Sequence, residues 1–155
     1  EGRTMPVSQR ELYIAAPMEK VWDFVSTLDN VAMCMPGYQR HEVIDERESV
    51  WYLKGDVGLF QKVVAFVAHI ERMDRAEGLV SFTLAARDEN MKGEGCFRAW
   101  PEGEGVVVQL ELKLEGGGLK GPLVNALLSS TLPDDLEYLG DRLKEVLERD
   151  AAVGQ

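Results

Sequence analysis

The chain has 155 residues, 45% hydrophobic and 28% charged, the make-up of one ordinary globular domain that needs no disulfide or metal to hold it. Its 27 acidic against 17 basic residues give a formal charge of −10, a field that repels phosphate backbones and anionic lipid and so argues against nucleic-acid partners. The basic residues are scattered singly, no apolar run approaches the ~18 residues of a membrane span, and no charged-then-apolar leader opens the chain. A cytoplasmic protein without stable membrane insertion is expected. Residues 1–4, ahead of Met5, read as a cloning remnant, leaving a single domain over 5–155.

"ELYIAAP" (11–17) alternates and ends at proline, like a strand and its exit. "MEKVWDFVSTLDNVAM" (18–33) then changes period, with Val21, Val25, Leu28 and Ala32 at helical spacing, and stops at Pro36-Gly37. One or two short helices are expected. From there the pattern has period two. "YQRHEVIDE", "SVWYLKGDVG", "FQKVVAFVAHIERMD", "GLVSFTLAARDEN", "MKGEGCFRAW" and "VVVQLELKLE" read as consecutive strands, with turns at Glu77-Gly78 and over "PEGEG". In the last strand Val106, Val108, Leu110, Leu112 and Leu114 face inward against Gln109, Glu111, Lys113 and Glu115. After "GGG" (116–118) helical spacing returns. Leu136, Leu139, Leu143, Val146 and Leu147 form one stripe, and Pro133 is expected to kink or interrupt the helix. Strands in a run followed by a long amphipathic helix give an α+β fold, a curved antiparallel sheet wrapped on a C-terminal helix.

Three strand glycines fall on the inward face: Gly55 in phase with Trp51 and Leu53, and Gly93 and Gly95 in phase with Phe97. Strand glycines permit coiling of the sheet, or leave an apolar void, and the two are compatible. A void lined by Trp51, Phe66, Phe82, Phe97 and Leu110, with Gly93 and Gly95 facing Leu127 and Leu128 of the closing helix, would hold a flat apolar molecule. If Gly95 reserves that room, Gly95→Leu is expected to cost ligand affinity more than stability.

"YIAAPMEKVWDFVSTLDNVAMCMPG" resembles the opening of the START-like, polyketide-cyclase-like (SRPBCC) superfamily, in which a strand ends in Ala-Pro and a helix carries Val-Trp. Cys34-Met35-Pro36-Gly37 is similar to one branch, the proteins that resemble the G-subunit of carbon monoxide dehydrogenase. The resemblance spans about residues 8 to 150. It implies the helix-grip (START/Bet v 1-like) fold with an apolar tunnel, ligands such as lipids, sterols, polyketides or quinones, and, for that branch, association with a molybdenum hydroxylase.

Two methionines flanking a cysteine in "MCMPG" would suit Cu(I), yet adjacent residues rarely converge on one ion and no second Cys or Met cluster supports them. Cys34 reads as a small buried hydrophobe, and Met33 and Met35 as adaptable side chains at a cavity mouth. Cys34 and Cys96 lack zinc-type spacing and are not expected to pair with each other. His41, between Arg40 and Glu42, reads as solvated. His69, in phase with Val63 and Val67, is the one candidate acid or base at the edge of an apolar face. No Ser-His-Asp, metal or phosphate-loop signature is present, and no cofactor is expected. Three functions follow: an accessory protein binding an apolar lipid-like or quinone-like molecule, a cyclase or dehydratase using His69 and nearby acids in the same tunnel, or an interaction adaptor whose cavity is vestigial. Polar groups converging in the tunnel would favour the second, and a filled tunnel beside an exposed apolar patch the third.

Overall fold

The computed structural model describes residues 6–56 and 61–153; the remnant expected over 1–4, and Val57 and Phe60 of the expected strands, lie outside them. Strand β1 (Val7–Ile14) is followed by helices α1 (Met18–Val25) and α2 (Leu28–Cys34). Six strands come next: β2 (Tyr38–Val43), β3 (Glu48–Asp56), β4 (Gln61–Asp74), β5 (Leu79–Ala86), β6 (Met91–Glu102) and β7 (Gly105–Gly116). Helix α3 (Gly121–Val153) closes the chain. All seven strands form one antiparallel sheet in the order β1-β7-β6-β5-β4-β3-β2. The chain therefore adopts the helix-grip architecture that the resemblance implied.

The 18–33 segment splits because two hydroxyls compete with the helix. Ser26 and Thr27 both donate back to the Asp23 carbonyl (3.4 and 3.3 Å), and Thr27 is extended. α2 then ends in a turn that docks on the sheet. Gly37 has φ +76° and lies so close to β3 that a side chain would overlap the Lys54 carbonyl, while the Lys54 N–H donates to the Gly37 carbonyl (2.7 Å). Pro36-Gly37 thus seats the end of α2 against the middle of β3.

The inward phase of β7 is as expected. Val106, Val108, Leu110 and Leu112 are buried, Leu114 is half-buried, and Gln109 is exposed. Pro133 does not interrupt α3, which runs through it. Pro133 and Ser129, whose carbonyl loses its helix partner there, are both on the exposed side, where water can satisfy that carbonyl.

The two halves of α3 differ. The C-terminal half buries Leu132, Leu136, Leu139, Leu143 and Leu147 on β1 and β7. It is also clamped to β1 by polar contacts. Arg10 crosses the helix at Gly140 to reach Asp141 (2.8 Å) and the Glu137 carbonyl, Lys144 donates to the Tyr13 carbonyl (2.8 Å), and the Ala15 N–H donates to Glu148 (2.8 Å). In the N-terminal half Leu123 is exposed and Leu127 and Leu128 are only half-buried.

The aromatic residues fill the centre of the concave face. Trp51 packs on Phe82 (centroids 5.6 Å apart) and Phe82 on Phe97 (6.3 Å). The Phe82 ring covers Gly95, where a β-carbon would come within 2.8 Å of Cε2. The void expected at Gly95 is thus occupied by a side chain from the neighbouring strand. Gly55, by contrast, faces open space, with nothing within 4 Å of a β-carbon.

Gly95→Ala should lower stability by about 1–3 kcal/mol by displacing Phe82, while Gly55→Ala should be close to neutral; chemical denaturation of the two variants checks this. The Ala15 N–H, then Lys144, hold the Glu148 carboxyl below its ordinary range. Because the folded-state pKa is depressed, this contribution is present above the unfolded value of about 4.5 and is lost as pH falls through the folded one. Glu148→Gln should therefore cost about 1 kcal/mol or less near pH 7 and nothing once the wild-type carboxyl is protonated, read as melting temperatures against pH.

Candidate functional site

Under the N-terminal half of α3 the concave face is not filled. A chamber of ≈ 290 Å³ lies there, walled by Leu53 of β3, Val64 and Phe66 of β4, and Leu112 and Leu114 of β7. Leu128 of α3 forms its roof, and Met35 and Pro36 close the α2 end. Gly55 is the position that keeps the β3 side open. Thr131 and Asp135 of α3 add polar residues to its lining, while Lys54 and Gln61 border it from the strands, out of phase with the inward Leu53 and Val64. A second chamber of ≈ 440 Å³ shares Met91 and Leu128 with the first. It is bounded by Val124 and Leu127 on α3, by the Gly117–Lys120 loop, and by Lys62, Glu89 and Asn90.

A third hollow, ≈ 450 Å³, lies on the other face of the sheet across β1, β6 and β7. Four of its polar residues are paired across strands, Gln9 with Glu111 (2.7 Å) and Gln109 with Glu11 (2.9 Å). It lacks the apolar wall of a binding site, so the chambers under α3 are the candidate.

The structure distributes the sequence-predicted lining residues unevenly. Met35, Phe66 and Leu128 line the first chamber, and Leu127 and Leu128 the second. Trp51, Phe82, Phe97 and Leu110 belong to the filled core. Gly93 packs against the Lys113 carbonyl and Leu114, and Gly95 lies under Phe82. Met33 is 46% exposed on α2, off the chamber wall. The positions missed include Pro36, Gly55, Leu53, Val64, Met91, Leu112, Leu114, Thr131 and Asp135. Helical spacing held a signal for the last two, since Thr131 and Asp135 follow Leu128 at i+3 and i+7 on one face.

His69 does not enter either chamber. It points to the opposite face from Phe66 and Ala68, 3.3 Å from Glu48, so it cannot act in the tunnel. His41 is not solvated as expected; its side chain is 23% exposed, beneath α2. Its Nδ1 lies 2.7 Å from the Tyr38 hydroxyl and its Nε2 3.9 Å from Asp29, and Ser49, buried in β3, donates to the same Asp29 oxygen (2.6 Å). This cluster holds α2 on β2 and β3 and thereby fixes Met35 and Pro36 at the chamber. Burial raises the Cys34 thiol to about 11, which leaves almost no thiolate at neutral pH for metal or redox work. Cys96 points to the outer face of β6, so the sheet lies between the two sulfurs. No group of His, Cys, Asp or Glu among the described residues could hold a metal ion.

Solved structures match over nearly the whole chain. The protein TTHA0849 of Thermus thermophilus superposes with a TM-score of 0.75 at 24% identity, covering 94% of this chain and 99% of its own. A START superfamily protein of Mycobacterium smegmatis gives 0.69 at 18%, covering 94% and 99%. The ZhuI aromatase/cyclase of Streptomyces sp. R1128 gives 0.69 at 15%, covering 96% and 94%. At these identities the likeness carries the fold. No curated protein matches the chain. The family model of the polyketide cyclase / dehydrase and lipid transport proteins matches residues 5–148, and the chain belongs to that family.

Proposed function

We propose that the protein is a non-enzymatic carrier that holds an apolar small molecule between α3 and the sheet. The observation that carries this reading is the pair of adjacent chambers, sharing Met91 and Leu128, whose apolar walls include Leu53, Val64, Phe66, Leu112 and Leu114 and which are left unfilled beside a tightly packed core. Packed interiors leave few voids larger than a water molecule, and removing a filling side chain costs stability. A fold that plugs one half of its concave face with three aromatic rings and leaves the other half empty retains the empty half for an occupant. The finer reading is a lipid-like or quinone-like ligand carried in service of a molybdenum hydroxylase of the carbon monoxide dehydrogenase type. Its support is the resemblance carried by Cys34-Met35-Pro36-Gly37, and Met35 and Pro36 are the two of these residues at the chamber wall.

A second reading, a cyclase or dehydratase acting in the same space, draws on Thr131 and Asp135, which bring a hydroxyl and a carboxyl to the lining. The walls facing them are Leu112, Leu114, Val64 and Phe66, with no histidine among them, which favours holding a ligand over moving its protons.

Leu128→Trp places bulk on the wall common to both chambers. Titration with an apolar fluorescent probe such as 1-anilinonaphthalene-8-sulfonate should show binding to the wild type and at least roughly tenfold weaker binding to the variant, with a melting temperature changed by only a few degrees. Undiminished probe binding by a folded variant would remove the chambers as the site. Native mass spectrometry of freshly purified protein should show an apolar adduct that Leu128→Trp lacks.

A further inference from the structure

The two chambers differ in chemistry, and the difference points along one direction. The first is apolar over most of its wall. The second begins apolar, at Val124 and Leu127, and ends at a charged mouth. That mouth carries Lys62, Lys120 and Glu89, a surplus of one positive charge in a chain of net charge −10. Lys62 is ion-paired with Glu89. Lys120 makes no ion pair or side-chain hydrogen bond among the described residues, and it is an exposed residue of the chamber's lining. Between the apolar end and this mouth the shared wall is Met91 and Leu128, and a methionine there is a flexible side chain that lets a slender group past.

We propose that the ligand is a single-chain amphiphile with a monoanionic carboxylate head: its tail lies in the first chamber, passes Met91 and Leu128, and presents the carboxylate to Lys120. The proposal rests on the reading of the chambers as an apolar-ligand site and adds to it the polarity and direction of the ligand. One unpaired ammonium matches one negative charge. A neutral head would gain nothing from it, and a cationic head would be repelled. Because Lys120 is exposed, the tail supplies most of the affinity and the lysine supplies discrimination, roughly two- to fivefold between an acid and a neutral molecule of equal length. Exposed charge pairs are screened, so that margin shrinks with added salt.

The test compares palmitic acid with hexadecan-1-ol, identical in chain length and different only in the head, by displacement of the fluorescent probe at about pH 8, where the carboxylate is ionised and lysine is still charged. Wild-type protein should bind the acid roughly two- to fivefold more tightly than the alcohol at low salt, and the margin should vanish in Lys120→Gln. Lys113→Gln makes the same change of charge on the other face of the sheet and should leave the margin intact. Equal binding of acid and alcohol, or a margin that survives Lys120→Gln, overturns the carboxylate head while leaving the apolar carrier standing. Failure of both molecules to bind overturns the head and the carrier together. Lys120 is exposed outside α3 and the sheet, so the variant should melt with the wild type, and loss of binding cannot be laid to misfolding.

Discussion

One helix cannot cover a seven-stranded sheet. α3 is about 50 Å long, and side chains included it is only about 10–12 Å wide, while each strand adds about 4.8 Å to the breadth of the concave face. Every other feature is a response to that shortfall. The C-terminal half of α3 is committed to β1 and β7, where its leucine stripe and the contacts of Arg10, Lys144 and Glu148 hold it. α2 takes the opposite flank, on β2 and β3, while α1 lies against β6 and β7. What remains is the middle, and the molecule treats its two ends differently. Trp51, Phe82 and Phe97 fill one, and the half-buried start of α3 spans the other without descending into it.

The small helices matter for the same reason. α2 is only seven residues long and has no side-chain cap at its N-terminus. A helix that short has little stability of its own. Its position is set from outside, by Asp29 reaching Ser49 and His41, and by Gly37 lying against Lys54. Both fastenings sit on β2 and β3, the strands farthest from the clamp on β1. Met35 and Pro36 are therefore held to the chamber by local contacts on these strands, beside those that α2 makes with the long helix.

Much of this was legible in the sequence, and the parts that were not share a cause. Period-two alternation from Tyr38 to Glu115 and the leucine stripe after Asp135 were enough for the sheet, the closing helix and the inward face of β7, because each is a property of neighbours along the chain. Gly55 and Gly95 look alike at that level, both glycines in phase with inward aromatic or aliphatic residues. What separates them is Phe82, whose ring reaches across from β5 and covers only Gly95. Met33 and Met35 are likewise equivalent in the string. Met33 lies on the outer side of α2, and Met35 just past its end, where the chain has turned inward. His41 looks solvated in the string because Asp29, its neighbour in the fold, comes well before it in the chain and meets it only once α2 is folded onto β2. Pro133 looks like a break because the pattern gives no sign that the carbonyl it orphans faces water.

The strand order also governs how the chain is made. β1 has a single neighbour in the sheet, β7, with Val7 opposite Lys113 and Ile14 opposite Val106. β1 thus has no partner until about a hundred residues more have been synthesised, which takes roughly 5–20 s at ordinary elongation rates. The helix that clamps it comes later still. During that interval the segment is an unpaired strand, the kind of edge on which nascent chains aggregate. Its own sequence supplies the protection: Gln9, Arg10 and Glu11 interrupt the apolar positions at their centre, and the Arg10 that guards the strand before folding is the residue that fastens it to α3 afterwards.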